Sequence, residues 1–269
     1  MRIDRLAGAR LDFNPEQGDY LVNMMLAQMI GRLLKAKEMG ELREALEAIT
    51  RDLGFRYFAI GHHVNLSGPP VDALGLSNYP TSWAVRALSE RYFVHDPIHR
   101  ASIHTATGFR WSDAGRLIQL SPRDMHILDA ASHHGLTEGF TVPVHVPGEY
   151  RGTCSFGGPR LDFVTQAALP IATMIGAYAF EAGRRILRRA NPGPGGSVPP
   201  LTDRQRDALV LVAKGKADPE IGEVLGIASS TAHEHVENVR RAYGNAQRPF
   251  LIARALFDGQ ISFGEIFRP

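Results

Sequence analysis

Apolar residues recur every three or four positions in several stretches of the chain, and turn residues fill the gaps between them. YLVNMMLAQMIGRLLKAKEMG (20–40) repeats Met and Leu at that spacing and reads as an amphipathic helix. ELREALEAITRDLG (41–54) follows as a second, with Gly54 placed to close it. The period then shortens. FRYFAIGHHV (55–64) and VDALGLSNY (71–79) are rich in aromatic and branched residues and read as strands. TSWAVRALSERYF (81–93) returns to helix with Thr81 as its N-cap, and SPRDMHILDAASHHG (121–135) has Ser121 at the cap, Pro122 in the first turn and Gly135 at the end. FTVPVHV and YRGTCSFGG form a hairpin turned at Pro147 and Gly148. A long helical run, 161–190, ends in four arginines, and Pro170 starts or kinks it. Helices before, between and after the strands predict an α+β domain: an α-β-α sandwich around an antiparallel sheet of about five strands.

NPGPGGSVPP (191–200) has four prolines, three glycines and no charge, so it neither continues a helix nor pairs as a strand. It predicts a linker between a domain over 1–190 and a second over 201–269. The second is all helical. Thr202 caps a helix with Leu209, Val212 and Ala213 inward, and Gly215 ends it. Asp218 and Pro219 start the next, with Ile221, Val224 and Leu225 inward, and Gly226 and Ile227 turn the chain. Ser229 or Ser230 opens a third with Ala232, Val236, Val239 and Tyr243 inward, and RPFLIARALFDGQI (248–261) supplies a fourth. Helix, short Gly-containing turn and helix is the helix-turn-helix arrangement.

Composition narrows the function. At 269 residues, 44% hydrophobic and 22% charged, the chain is a globular protein with ample core material. A single cysteine, Cys154, excludes a disulfide framework or a Cys-rich zinc site. The charged N-terminal stretch does not read as a secretory leader, and no apolar run approaches membrane-spanning length, so a cytoplasmic protein with no membrane partner is expected. The net charge of +2 gives no global nucleic-acid signal. Residues 199–269 balance nine basic against nine acidic side chains, while 181–198 hold four arginines against Glu181.

The C-terminal pattern LTxRxRxxLxLxAxGK…EIxxxLGI…STxxxHVxNVRR resembles the LuxR-type helix-turn-helix over 201–261. The resemblance implies that the third helix of this unit enters the major groove of double-stranded DNA. Thr231, His233, Glu234 and Glu237 would face bases, joined by Ser230 at the helix opening. Lys214, Lys216, Asn238, Arg240 and Arg241 would meet phosphates or nearby bases. Gln205 stands where the family usually has Glu, and Gly222 where it usually has Ala. The reading positions are His and Glu where Lys or Arg is common, so binding is expected to lean on dimer geometry.

Further upstream, NYPTSWAVRALSERYFVHDPI, GFRW and GEYRGTCSFGG resemble the autoinducer-binding domain of the LuxR quorum-sensing regulators over roughly 20–180. That resemblance implies an acyl-homoserine lactone ligand and no cofactor. Trp83 would donate to the lactone carbonyl, Asp96 would accept the amide N–H, and Tyr79 and Ser155 would serve the acyl carbonyl. Trp111 and Phe109 would wall the head group, with Leu136 and Ile98 lining the cavity. Ala87 stands where a Tyr is usual, which predicts a larger or reshaped acyl channel. The implied assembly is a homodimer, formed through the 161–190 run or the 20–36 helix, with RNA polymerase as a further partner. Two other readings compete. A receiver-type regulator needs regular βα alternation, which the pattern lacks. A domain sensing a different small molecule, or working without ligand, fits the same output module. Among eleven histidines, His95 and His99 share helical spacing without the further ligands a metal needs, and no nucleotide-binding or nucleophile motif is present, which argues against an enzyme.

Overall fold

A computed structural model of the chain describes residues 15–65, 73–147, 149–161, 164, 168–190 and 198–267. It divides into two compact units, one holding Met1–His145 with Tyr150–Gly193, the other Pro194–Pro269 with Val146–Glu149. Gly148 and most of the 191–200 stretch lie outside the described residues.

The larger unit is built on a five-stranded antiparallel sheet in the order β2-β1-β5-β4-β3. Its strands are β1 (Tyr57–His62), β2 (Gly75–Ser77), β3 (Phe109–Arg110), β4 (Glu138–Val144) and β5 (Gly152–Gly158). Register separates the two faces. Phe58, Phe156 and Phe140 align across β1, β5 and β4, as do Ile60, Cys154 and Val142, and these side chains enter the main core. Helices α1 (Pro15–Lys35), α2 (Met39–Asp52) and α7 (Ala168–Ala190) supply that core's other wall, through Leu33, Leu42, Leu46, Ile175 and Phe180. The opposite face carries Ala59, Ser155 and Thr141 in one aligned row. Such small and hydroxyl side chains leave space above the sheet. Helices α3 (Thr81–Ser89), α4 (Pro97–Ser102), α5 (Ala114–Leu117) and α6 (Pro122–Ser132) stand over it. Trp83, Tyr92, Ile127 and Leu136 form one small cluster there, and Ile98, Ala101, Phe109 and Ala114 another.

Local details differ from the sequence expectation in physical ways. Thr81 is the first helical residue of α3 and Pro80 occupies the cap, with no side-chain cap bond. The helix stops at Ser89, because Arg91 adopts φ 54, and a single 3-10 turn follows over Tyr92–Val94. The second strand is confined to Gly75–Ser77, and residues 66–72 are outside the described set. Ser121 does cap α6: it accepts from Asp124 N–H at 3.2 Å while Asp124 accepts from the Ser121 N–H at 2.8 Å. Asp124 also takes both its oxygens to Arg100 (2.7 and 2.8 Å). Burial alone would raise its carboxyl, but the Ser121 and Arg100 bonds hold it below the usual carboxylate range.

The smaller unit comprises α8 (Asp203–Ala213), α9 (Asp218–Leu225), α10 (Ser229–Ala242), α11 (Arg248–Phe257) and α12 (Phe263–Phe267). Five helices are described where four were expected, α12 being a short addition. Thr202 and Gln205 close a reciprocal capping box on α8. Ala208, Val212, Ile221, Ala232 and Val236 pack the helix-turn-helix, and Leu209, Val239, Leu251 and Ile261 join it to α11. Val224, expected inward, is 60% exposed. Ile221 and, one turn on, Leu225 take the inward face of this short helix, and Val224 falls beside it. Asp218 and Ser229 are first helical residues, and Ala217 and Ala228 hold the cap positions. Gly222 is buried against the turn, where an added Cβ would lie 2.8 Å from the Ile227 carbonyl oxygen.

Candidate functional site: a cavity and an exposed helix

Between the hydroxyl-bearing face of the sheet and α3, α4 and α6 lies a cavity of about 490 Å³. Tyr79, Trp83, Asp96, Ile98, Trp111, Leu136 and Ser155 all line it. Phe109 does not. It pairs with Thr141 at the sheet edge, and its ring is covered by Ile98, Ala101 and Ala114, which places it behind the wall.

The polar groups of the cavity are mostly tied to one another. Trp111 donates its indole N–H to Thr141 Oγ1 at 2.9 Å, and Thr141 Oγ1 lies 2.8 Å from Ser155 Oγ. The Tyr79 phenol lines the same space. Burial, and then the Asp96 charge, push that phenol well above its ordinary range, so it stays a neutral hydroxyl. Asp96 caps α4: its Oδ1 accepts from Ile98 N–H (2.8 Å) and His99 N–H (3.2 Å). Its Oδ2 stands 4.0 Å from His99 Nε2. One carboxylate oxygen therefore holds the helix, and the other remains for an incoming donor. The Trp83 indole N–H has no hydrogen-bond partner among the described residues, and its ring leans on Tyr92 and His134. His99 stacks on His63 at 3.9 Å, and His63 bonds Thr153 Oγ1 at 3.2 Å. Burial first, and then the neighbouring histidines and Arg151, lower His63 to about 2, so it is uncharged. A neutral ligand with two acceptors, one donor and an apolar body matches this lining.

In the smaller unit, the N-terminal half of α10 exposes Ser230, Thr231, His233 and Glu234. His233 Nδ1 lies 2.7 Å from Asp218 Oδ2, and Arg248 donates to Asp218 Oδ1 at 2.5 Å. Burial would raise the Asp218 carboxyl, yet the bonds from His233 and Arg248 leave it lowered. Lys216 pairs with Glu220 at 2.9 Å, and Lys214 is exposed. Arg240 is more constrained than expected. Its Nε donates to Ala246 carbonyl oxygen (2.9 Å) and its Nη1 to Glu237 (2.6 Å), which fastens the end of α10 to the following loop. Arg241 is exposed and donates to Asn238 Oδ1 at 2.6 Å.

Comparison with known proteins bears on both halves. The profile described as "Autoinducer binding domain" matches residues 38–183, and that described as "Bacterial regulatory proteins, luxR family" matches 199–253. The chain belongs to the LuxR family of transcriptional regulators. Similar curated proteins include the transcriptional activator BjaR1 of Bradyrhizobium diazoefficiens, 28% identical over 82% of this chain and 89% of that protein. The quorum sensing-dependent transcriptional regulator RpaR of Rhodopseudomonas palustris is 29% identical over 83% of this chain and 90% of its own length. Among solved structures, SdiA in complex with octanoyl-rac-glycerol covers 90% of this chain and 97% of its own at 19% identity, with a TM-score of 0.59. That likeness is one of fold.

A LuxR-family chain is a regulator and not an enzyme. Among the described residues, no three His, Cys, Asp or Glu side chains are placed to hold a metal, and no helix is long and apolar enough to cross a membrane. Residues that sequence reasoning missed include Thr141, whose importance depends on strand register, and Ile127 with Ala131, which face the cavity one helical turn apart. Their i, i+4 spacing was the available signal. Arg43, Leu76 and Ser77 line the cavity beside β2, and nothing in their local sequence marks them.

Proposed function

We propose that this LuxR-family regulator binds an N-acyl-homoserine lactone in the larger unit and, as a homodimer in the cytoplasm, reads a two-fold operator through α10. The observation that carries the ligand reading is the donor and acceptor set around one cavity. Trp83 offers an indole N–H without a partner among the described residues, Asp96 an acceptor, and Ser155 with Tyr79 hydroxyls, all facing a mostly apolar space. A lactone carbonyl, an amide N–H and an acyl carbonyl are their complements. The proposed organisation is a ligand-binding and dimerisation domain over 1–190, a linker over 191–200 and a DNA-binding domain over 201–269, supported by the matches over 38–183 and 199–253. Exposed Met174 and Tyr178, one turn apart on α7, and Leu34 on α1 are apolar surface suited to a second copy. Paired α10 helices would then meet half-sites about one turn apart, with RNA polymerase as the downstream partner. Ala87 lines the cavity, and its small side chain favours a long or bulky acyl group. Ala87→Tyr is expected to shift preference towards shorter chains, and an unchanged preference series would sink that assignment.

Thermal unfolding with a panel of homoserine lactones tests the whole reading. A ligand at a hundredfold its Kd adds about 2.7 kcal/mol of stability. The solved SdiA complex holds octanoyl-rac-glycerol, so acylglycerols belong in the same panel. Stabilisation by acylglycerols alone would favour the second reading, a regulator tuned to a different small molecule. Stabilisation by neither, with operator binding intact, would favour ligand-independent action.

A further inference from the structure

Thr141 has no assigned role, yet it is fully buried and hydrogen-bonded on both sides. An indole N–H only donates, so Trp111 must give its hydrogen to Thr141 Oγ1. Thr141 must then place its own proton elsewhere. The acceptor described within reach of that hydroxyl is Ser155 Oγ at 2.8 Å, and leaving a buried O–H without an acceptor is costly. Thr141 therefore donates to Ser155. Ser155 in turn keeps its own proton for whatever lies on its other side, which is the cavity. The chain of hydroxyls has one direction, and the Trp111 indole N–H at its far end fixes it.

The anchor of this chain is held by two glycines. Gly139 and Gly157 are direct cross-strand partners in β4 and β5, and the Trp111 ring lies over both. A Cβ at Gly139 would stand 2.3 Å from the Trp111 ring, and one at Gly157 2.8 Å from it. Only a bare backbone at this pair lets the indole lie close to the sheet with its N–H on Thr141.

We infer that Gly139, Gly157 and Thr141 are positioning residues for ligand selection: they hold Trp111 so that Ser155 presents a hydrogen-bond donor to a ligand carbonyl. The inference rests on the lactone reading proposed above and specifies which way its acyl-carbonyl contact runs. It also assigns the two tryptophans opposite duties. Trp83 keeps its N–H for the ligand, whereas Trp111 gives its own to the protein.

Titration calorimetry of the full chain with N-octanoyl-homoserine lactone tests this. Thr141→Val removes the hydroxyl at nearly constant shape, and Ser155→Ala removes the donor itself. Each is expected to weaken binding by roughly five- to tenfold, the worth of one neutral hydrogen bond. The double variant is expected to bind no more weakly than Ser155→Ala alone, because Thr141 acts through Ser155. Trp111→Phe breaks the chain from its other end and also trims a ring that lines the cavity, so its loss is expected to equal or exceed that of Thr141→Val. Losses of Thr141→Val and Ser155→Ala that multiply in their double variant would overturn the positioning role while leaving the lactone reading intact. A wild-type chain that takes up none of the lactone would overturn that reading and Ser155's donor role with it.

Discussion

The two functional surfaces of this regulator are assembled in opposite ways. The cavity gathers side chains from β1, β2 and β5 and from three overlying helices, and most of its polar groups are bonded within the protein. The proposed DNA-reading surface comes from one helix, α10, where exposed His233 is partnered by Asp218 at the start of α9 and exposed Arg241 by Asn238. Cavity residues therefore serve fold and ligand together, while most reading residues are dispensable to the fold. The largest expected contrast follows. Trp83→Ala opens a hole beside Tyr92 and Ile127 and is expected to cost about 3–5 kcal/mol, abolishing any ligand-induced shift. Thr231→Ala is exposed on α10 and is expected to stay within about 0.5 kcal/mol while weakening operator binding. Comparable losses in chemical denaturation would break the contrast.

Acid sensitivity separates the units next. His63 is held neutral in the folded larger unit, with a value of about 2 against an ordinary 6.5. Below the ordinary value the unfolded chain binds a proton that the folded chain refuses, so this stability is present above about 6.5 and falls with pH towards 2. Between pH 7.5 and 5.5 the loss is expected to be about 1.4 kcal/mol. His63→Gln is expected to flatten that slope. In the smaller unit Asp218 is lowered, and its contribution is present above the ordinary carboxyl value and lost as pH falls below it. A larger unit whose stability is flat across pH 7.5 to 5.5 would sink the His63 assignment.

These contrasts also explain how legible each surface is in the sequence. The helix-turn-helix is written in local signals: Thr202 with Gln205, Gly215 at φ 82 and Gly226 at φ 66 stand where capping chemistry puts them. Asp96 shows the limit of that reading. Its place before Pro97 is an ordinary helix cap, and only the fold shows that one oxygen caps while the other faces His99 and the cavity. The short helix α4 it starts carries too few residues for periodicity to register. Phe109 reads as cavity wall in the sequence and lies behind it in the fold, because α4 and α5 insert Ile98, Ala101 and Ala114 over its ring. Thr141 is invisible to such reading, since its neighbours on β5 are set by strand register and not by spacing.

A smaller effect distinguishes two arginines that adjoin in sequence. Arg240 ties α10 to the loop through Ala246, and truncating it to Ala is expected to cost about 1 kcal/mol of stability. Arg241→Ala is expected to leave stability within about 0.5 kcal/mol. It should nevertheless flatten the plot of log operator affinity against log salt, by about 0.9 in slope for each phosphate that Arg241 neutralises. Equal stability losses for the pair would show that α10 ends in two structural arginines and not one.

The smallest effect is expected at Gly222, where two terms of similar size oppose each other. An alanine in a helix interior is favoured over glycine by about 1 kcal/mol. The same methyl would sit 2.8 Å from the Ile227 carbonyl oxygen, which is turn backbone and cannot rotate away as a side chain would. Shifting a packed turn costs typically about 1–3 kcal/mol. Strain should narrowly win, so Gly222→Ala is expected to lower the denaturation midpoint slightly and to weaken operator binding more than stability, because the turn sets the angle at which α10 leaves α9. A stabilised Gly222→Ala with unchanged binding would mean that the turn yields freely, and that the α9–α10 geometry is as tolerant as the rest of the exposed helix.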